Sequence, residues 1–131
     1  MATPFTHRNL KELDDSAVEH GLAPNLEARF ARKALGSERS GLSYQRLAPN
    51  FSQPFGHRHG DQEETYVIVG GSGRMKVGDE TIDVVQWDAV RVAPETMRAF
   101  EAGGDGLELL AFGAGESGEA EMISDPWDSP G

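Results

Sequence analysis

The chain has 131 residues, 12 Lys+Arg against 22 Asp+Glu, and no cysteine. That length suits one domain and is enough to bury a core without cross-links. The lack of cysteine excludes disulfides, thiolate zinc sites, iron–sulfur ligation and a thiol nucleophile, while a formal net charge of −10 argues against nucleic acid and anionic membranes, whose phosphates need clustered Lys and Arg.

The charge is uneven. Residues 1–60 carry 8 basic and 6 acidic side chains, residues 61–100 carry 4 and 8, and residues 101–131 carry none and 8. No apolar run approaches the ~20 residues that span a bilayer. Met1 to Arg8 lack a charged and an apolar region, so no signal peptide is expected and the expected location is the cytoplasm.

In chain order, Asn9 to Gly21 reads as one short helix. Asn9 is its candidate N-cap, Leu10, Leu13 and Val18 form a thin apolar stripe, and Gly21 with Pro24 stops it. This places an N-terminal arm over residues 1–25. Strands are predicted over Glu27–Lys33, Leu42–Leu47, Glu64–Val69, Arg74–Val77, Thr81–Val85, Ala89–Val92, Arg98–Glu101 and Leu107–Phe112. The clusters Gly70-Gly71-Ser72-Gly73, Gly78-Asp79-Glu80, Ala93-Pro94-Glu95 and Gly103-Gly104-Asp105-Gly106 read as turns. Turn signals every 8–12 residues are the spacing of an antiparallel barrel or sandwich. A βαβ architecture is disfavoured, because no helix-length segment separates the later strands. The body spans residues 26–113. Residues 114–131 are expected as a solvated, partly mobile acidic tail, which Trp127 could pin to the body.

Two of the four histidines stand in Gly56-His57-Arg58-His59-Gly60-Asp61-Gln62-Glu63-Glu64. In an extended segment, residues two apart share a face, so His57 and His59 project together. Glu64 begins the next predicted strand with the parity of Tyr66 and Ile68. If that face is inward, a carboxylate meets two imidazoles, and such a set can bind a first-row divalent ion with positions left open. A polar surface strand with solvated Glu63 and Glu64 is the competing reading. Upstream, Gln53 and Arg46 could each add a polar group, and His7 and His20 are expected to be exposed. Met97 and Phe100 would rim a pocket or fill it.

The spacing His57, His59, four residues, Glu64, six residues, Gly71 resembles the first motif of the cupin superfamily. Ser72-Gly73-Arg74 resembles the hairpin that follows it. Glu63 with Gly70 is a second alignment; Glu64 is preferred because it keeps Gly71-Ser72-Gly73 on the hairpin. Phe51 stands where the family pattern has a glycine. The stretch from Trp87 to Phe100 resembles the second motif, with Asp88, a β-run and Pro94 matching. Trp87 and Glu95 replace glycines there, and Arg98 replaces the third histidine ligand. The resemblance covers roughly residues 42–112.

It implies an all-β, antiparallel double-stranded β-helix (jelly-roll) barrel with a short N-terminal helix, a metal or ligand pocket in the mouth, and often a homodimer. A divalent ion (Fe, Mn, Ni or Zn) would be held by His57, His59 and Glu64. A small-molecule ligand would meet Arg98, Tyr66, His57 and His59. The superfamily includes dioxygenases, isomerases, decarboxylases and sensing domains, so the fold does not give the function.

Arginine cannot ligate a metal, because it stays protonated. A unit charge ~5 Å from a dication repels it by roughly 6–7 kcal/mol at an effective dielectric of ~20. Arg98 therefore pairs with Glu64 in a metal-free pocket, bends away from a three-ligand ion, neutralises an anionic ligand, or faces solvent. Three functions follow: a ligand-binding barrel with a reduced metal site, a metal-dependent enzyme of dioxygenase or isomerase type, or a non-catalytic dimeric sensor or accessory module.

Overall fold

A computed structural model describes residues 4–114 and 120–127. The strands are β1 (Leu26–Phe30), β2 (Ser40–Leu47), β3 (Phe55–His59), β4 (Glu64–Val77), β5 (Glu80–Val85), β6 (Ala89–Val92), β7 (Arg98–Ala114) and β8 (Ala120–Ser124). All pairings are antiparallel, and the sheet curls into a half-barrel. Its path runs β1-β2-β7-β3-β8, with β4 pairing β5, β6 and β7.

The two long strands correct the sequence reading. Each was expected as two strands separated by a glycine turn; each is one bent strand. β4 and β7 pair from Glu64↔Gly113 to Val77↔Arg98, with register shifts between Ile68 and Gly70 and between Gly71 and Gly73. The glycines permit close approach and bending rather than chain reversal. Gly71 has φ +73°, and a Cβ there would lie 2.0 Å from the carbonyl oxygen of Gly106. The bend lets β7 serve two neighbourhoods. Its second half lies between β2 and β4, while its first half pairs β4 and meets β3 through His57↔Arg98.

The N-terminal helix is shorter than predicted. Leu10–Glu12 form a 3-10 turn and Ser16–Glu19 form α1. Asn9 does cap, accepting from Lys11 N. Asp15 then caps α1, accepting from Ala17 N and also from Ala28 N on β1. Asp and Ser side chains compete for backbone groups, so Asp14-Asp15-Ser16 restarts the helix rather than continuing it. Beyond β1 the predicted strand residues 32 and 33 instead enter α2 (Arg32–Leu35), which ends on Gly36 with φ +67°.

The tail also departs from expectation. β8 pairs with β3 over five residues, from Phe55↔Ser124 to His59↔Ala120. Trp127 does reach the body: its indole Nε1 donates to the Gln53 carbonyl at 3.2 Å, and its ring lies under Arg74. The rest of the predicted tail, 115–119 and 128–131, lies outside the described residues.

The core is formed by the inward parity of β4, β7 and their neighbours. Tyr66, Ile68, Met75, Phe100, Leu107 and Leu109 are each 2% exposed or less. No helix of the described residues is long and apolar enough to cross a membrane.

Candidate functional site

The site is built where β3, β4 and β7 meet. His57 and His59 lie on one face of β3, and Glu64 and Tyr66 share the inward parity of β4. Arg98 opens β7 directly opposite His57. Glu64 is the inward carboxylate; Glu63 faces outward and pairs with Arg91.

One oxygen collects the group. Glu64 Oε1 lies 3.1 Å from His57 Nε2 and 3.1 Å from His59 Nε2. It accepts from the Tyr66 hydroxyl at 2.5 Å and from Arg98 NH1 at 3.4 Å. The two imidazoles meet edge to face, with centroids 5.1 Å apart. Burial pushes the Glu64 carboxyl up, but the hydrogen bonds from His57 and Tyr66 and the neighbouring imidazoles outweigh it and hold the pKa at about 2. Burial pushes His59 down, as do His57 and Arg98, with Glu64 acting the other way. Burial and Glu64 raise Tyr66, which remains a donor at neutral pH.

Arg98 is 0% exposed. That excludes the solvent-facing placement and realises the pairing with Glu64. Arg98 NH2 donates to the Ala93 carbonyl at 2.8 Å, and its Nε has no hydrogen-bond partner among the described residues. Arg98 is not among the residues lining either cavity that meets the site; its guanidinium contacts Glu64 and the Ala93 carbonyl.

Two cavities share His59 and Glu64. The smaller, about 320 Å³, is the barrel mouth and is also lined by His57 and Tyr66. Leu22 next to α1 and Met122 of β8 contribute to its wall, and neither was legible from local pattern. Gln53 does line it, as does His20 at its exposed rim, whereas Arg46 turns instead to Glu27. Phe100 lines it too, edge to face with Tyr66, while Met97 is buried beneath Gly56. The larger cavity, about 690 Å³, opens past Arg32 and Lys33.

The donor set fits a divalent ion in kind. His57, His59 and Glu64 each present a ligand atom, all within 4.8 Å of one another. Donors ~2.1 Å from an ion and at right angles are about 3.0 Å apart, close to the two 3.1 Å Nε2–Oε1 edges here. The charge balance opposes it. With neutral imidazoles, Glu64 and Arg98 already cancel, so a dication would leave a buried +2.

No protein-family model matches the chain, and no curated protein matches it by sequence. Solved structures do match. A cupin protein from Bacteroides fragilis is 21% identical, with TM-score 0.71, over 95% of this chain and 96% of that one. The chain has the cupin fold. The polyketide cyclase RemF from Streptomyces resistomycificus is 18% identical, with TM-score 0.73, over 92% and 84% of the two chains. Oxalate decarboxylase from Bacillus subtilis is 21% identical, with TM-score 0.66, over 75% of this chain but only 28% of that one. In this cupin-fold chain the residue opposite His57, where the resemblance put a third histidine, is a buried arginine.

Proposed function

We propose that this protein binds a small molecule in the barrel mouth, over His57, His59, Glu64 and Tyr66, with Arg98 supplying the positive charge that an ion would otherwise bring. The observation that carries the reading is the wholly buried Arg98 guanidinium 3.4 Å from Glu64 Oε1, the oxygen both imidazoles face. Glu64 is then a fixed anchor: hydrogen bonds from His57, Tyr66 and Arg98 orient one oxygen, with the His59 imidazole 3.1 Å from it, which leaves it a weak base. His57, the most exposed member at 27% side-chain exposure, and the Tyr66 hydroxyl are the groups that meet a guest. A cavity of about 320 Å³ lies at the lower end of small-molecule pockets.

The two 3.1 Å donor edges favour a second reading, in which His57, His59 and Glu64 hold iron, manganese, nickel or zinc. Such an ion would supply Lewis-acid polarisation and open coordination positions; the chain's part would be to orient the ligands through Tyr66 and Arg98.

Metal content by plasma emission, on freshly purified wild type and His57→Ala before and after loading with these four metals, separates the two. The first reading expects well under one equivalent in both proteins. Near-stoichiometric metal in wild type, lost in His57→Ala, replaces it with the metal-dependent enzyme.

A further inference from the structure

The smaller cavity carries a polar seam that the histidine–carboxylate group does not need. Its walls are mostly apolar, with Leu22, Leu26, Phe55 and Phe100 among them. The carboxamides of Gln45 on β2 and Gln53, between β2 and β3, line it too. The backbone fixes the orientation of Gln53. Its N–H donates to the Phe100 carbonyl at 3.0 Å, and Phe100 N donates to Gln53 Oε1 at 2.9 Å. The side-chain oxygen thus acts as the missing strand acceptor beside the first half of β7, and Nε2 points the other way.

There Nε2 finds Gln45 Oε1 at 3.4 Å, and Gln45 Nε2 finds Ser43 Oγ at 3.4 Å. Both bonds are longer than the usual 2.7–3.2 Å. Each primary amide has two donor hydrogens and two acceptor lone pairs, so the seam keeps hydrogen-bonding capacity for a guest.

The same walls argue about charge. No Lys, Arg or Asp of the described residues lines this cavity, and its one carboxylate, Glu64, already has Arg98 behind it. An anion entering here would lose its hydration with no permanently charged cation to receive it, only the imidazoles of His20, His57 and His59. The larger cavity differs, because Arg32 and Lys33 line it.

We propose that Gln45 and Gln53 determine the specificity of the smaller cavity, and that its ligand is an uncharged, largely hydrocarbon molecule whose carbonyl oxygen accepts a hydrogen bond from Gln53 Nε2. This rests on the reading of the barrel mouth as a ligand pocket. Gln53 anchors through its own oxygen, so its inward face offers a donor, and Gln45 holds that donor in place.

Acetophenone and benzoate, alike in shape and different in charge, test it. Titrations of the full chain are followed by NMR of the Gln45 and Gln53 side-chain amides and the His57 ring. Acetophenone should shift both amides and bind at least tenfold more tightly than benzoate. Gln53→Glu keeps the acceptor for Phe100 N and removes the donor; it should weaken acetophenone binding at least fivefold. Gln45→Leu, which adds no charge, should weaken it at least threefold. Benzoate binding as tightly as acetophenone, or both variants binding acetophenone like wild type, overturns the inference. If benzoate alone moves the His57 ring, the pocket reading survives and the uncharged-ligand inference falls. If neither probe moves any of these signals, both fall.

Discussion

The guanidinium of Arg98 and the carboxylate of Glu64 form an ion pair, at 3.4 Å, in which the cation is wholly shielded from water. Removing one member of a buried pair typically costs about 3–5 kcal/mol, because the other is left without its counter-charge. Arg98→Met should therefore lower stability by ~3 kcal/mol, read as a lower denaturant midpoint with an unchanged slope. Adding Glu64→Gln should recover part of the loss. A single variant as stable as wild type would mean that the pair contributes little.

The position of Arg98 opposite His57 also predicts a gain. Arg98→His removes the repelling charge and adds a donor beside His57 and Glu64. Zinc or cobalt affinity, measured by calorimetry, should rise at least tenfold over wild type. No gain would mean that residue 98 does not share the space an ion would occupy.

Glu27 accepts from Lys11, Arg29 and Arg46, at 2.7, 2.6 and 2.9 Å. Burial pushes its carboxyl up, but the three cations prevail and hold the pKa at about 2, from an ordinary 4.5. A depressed folded-state pKa gives stability that is full above about pH 4.5 and is lost as the pH falls toward 2. Solvent around Lys11, 56% exposed, screens the cluster, so ~1–2 kcal/mol is expected. Glu27→Gln should melt roughly 3–10 °C below wild type at pH 7, and the gap should narrow at pH 2.5. An equal gap at both pH values would contradict the linkage.

Two glycines make a matched pair. A Cβ at Gly71 would meet the Gly106 carbonyl oxygen at 2.0 Å, and the backbone there has φ +73°; at Gly104 a Cβ meets nothing within 4 Å. Gly71→Ala should lose ~3 kcal/mol or more, or fail to fold, while Gly104→Ala should stay within about 0.5 kcal/mol. In thermal melts run side by side, a Gly71→Ala as stable as Gly104→Ala would contradict the close approach of β4 to Gly106 on β7.

Trp87 is 71% exposed and has φ +75°. A left-handed backbone costs a non-glycine residue about 1–2 kcal/mol, partly offset by the greater freedom glycine has when unfolded. Trp87→Gly should raise stability by ~0.5–1 kcal/mol, seen as a melting point a few degrees higher. A fall would show that the exposed ring makes a contact worth keeping.

Trp87 also shows what could be read from sequence. The second motif wanted glycine there, and the backbone keeps the glycine conformation although the residue is tryptophan. Motif parity gave His57, His59 and Glu64 one face, because a strand's period of two is strictly local. The helix break was hidden because only half of its cause is local: Asp15 accepts from Ala17 N of α1 and also from Ala28 N on β1, a distant segment. The long strands were hidden because glycines that allow close approach look like glycines that allow turns. β8 carries too few buried side chains to show alternation; it exists through its partner. Gln45 lines the pocket without any local signal, since what orients it is Gln53, eight residues on.

β3 touches β7 at a single register pair but β8 at five. The strand that carries both histidines is therefore clamped chiefly by a segment 65 positions later, His57 opposite Met122. Closing so long a loop is slow compared with local pairing. During synthesis the imidazoles emerge long before their clamp, and the strand that carries them is held along its length only once β8 has arrived.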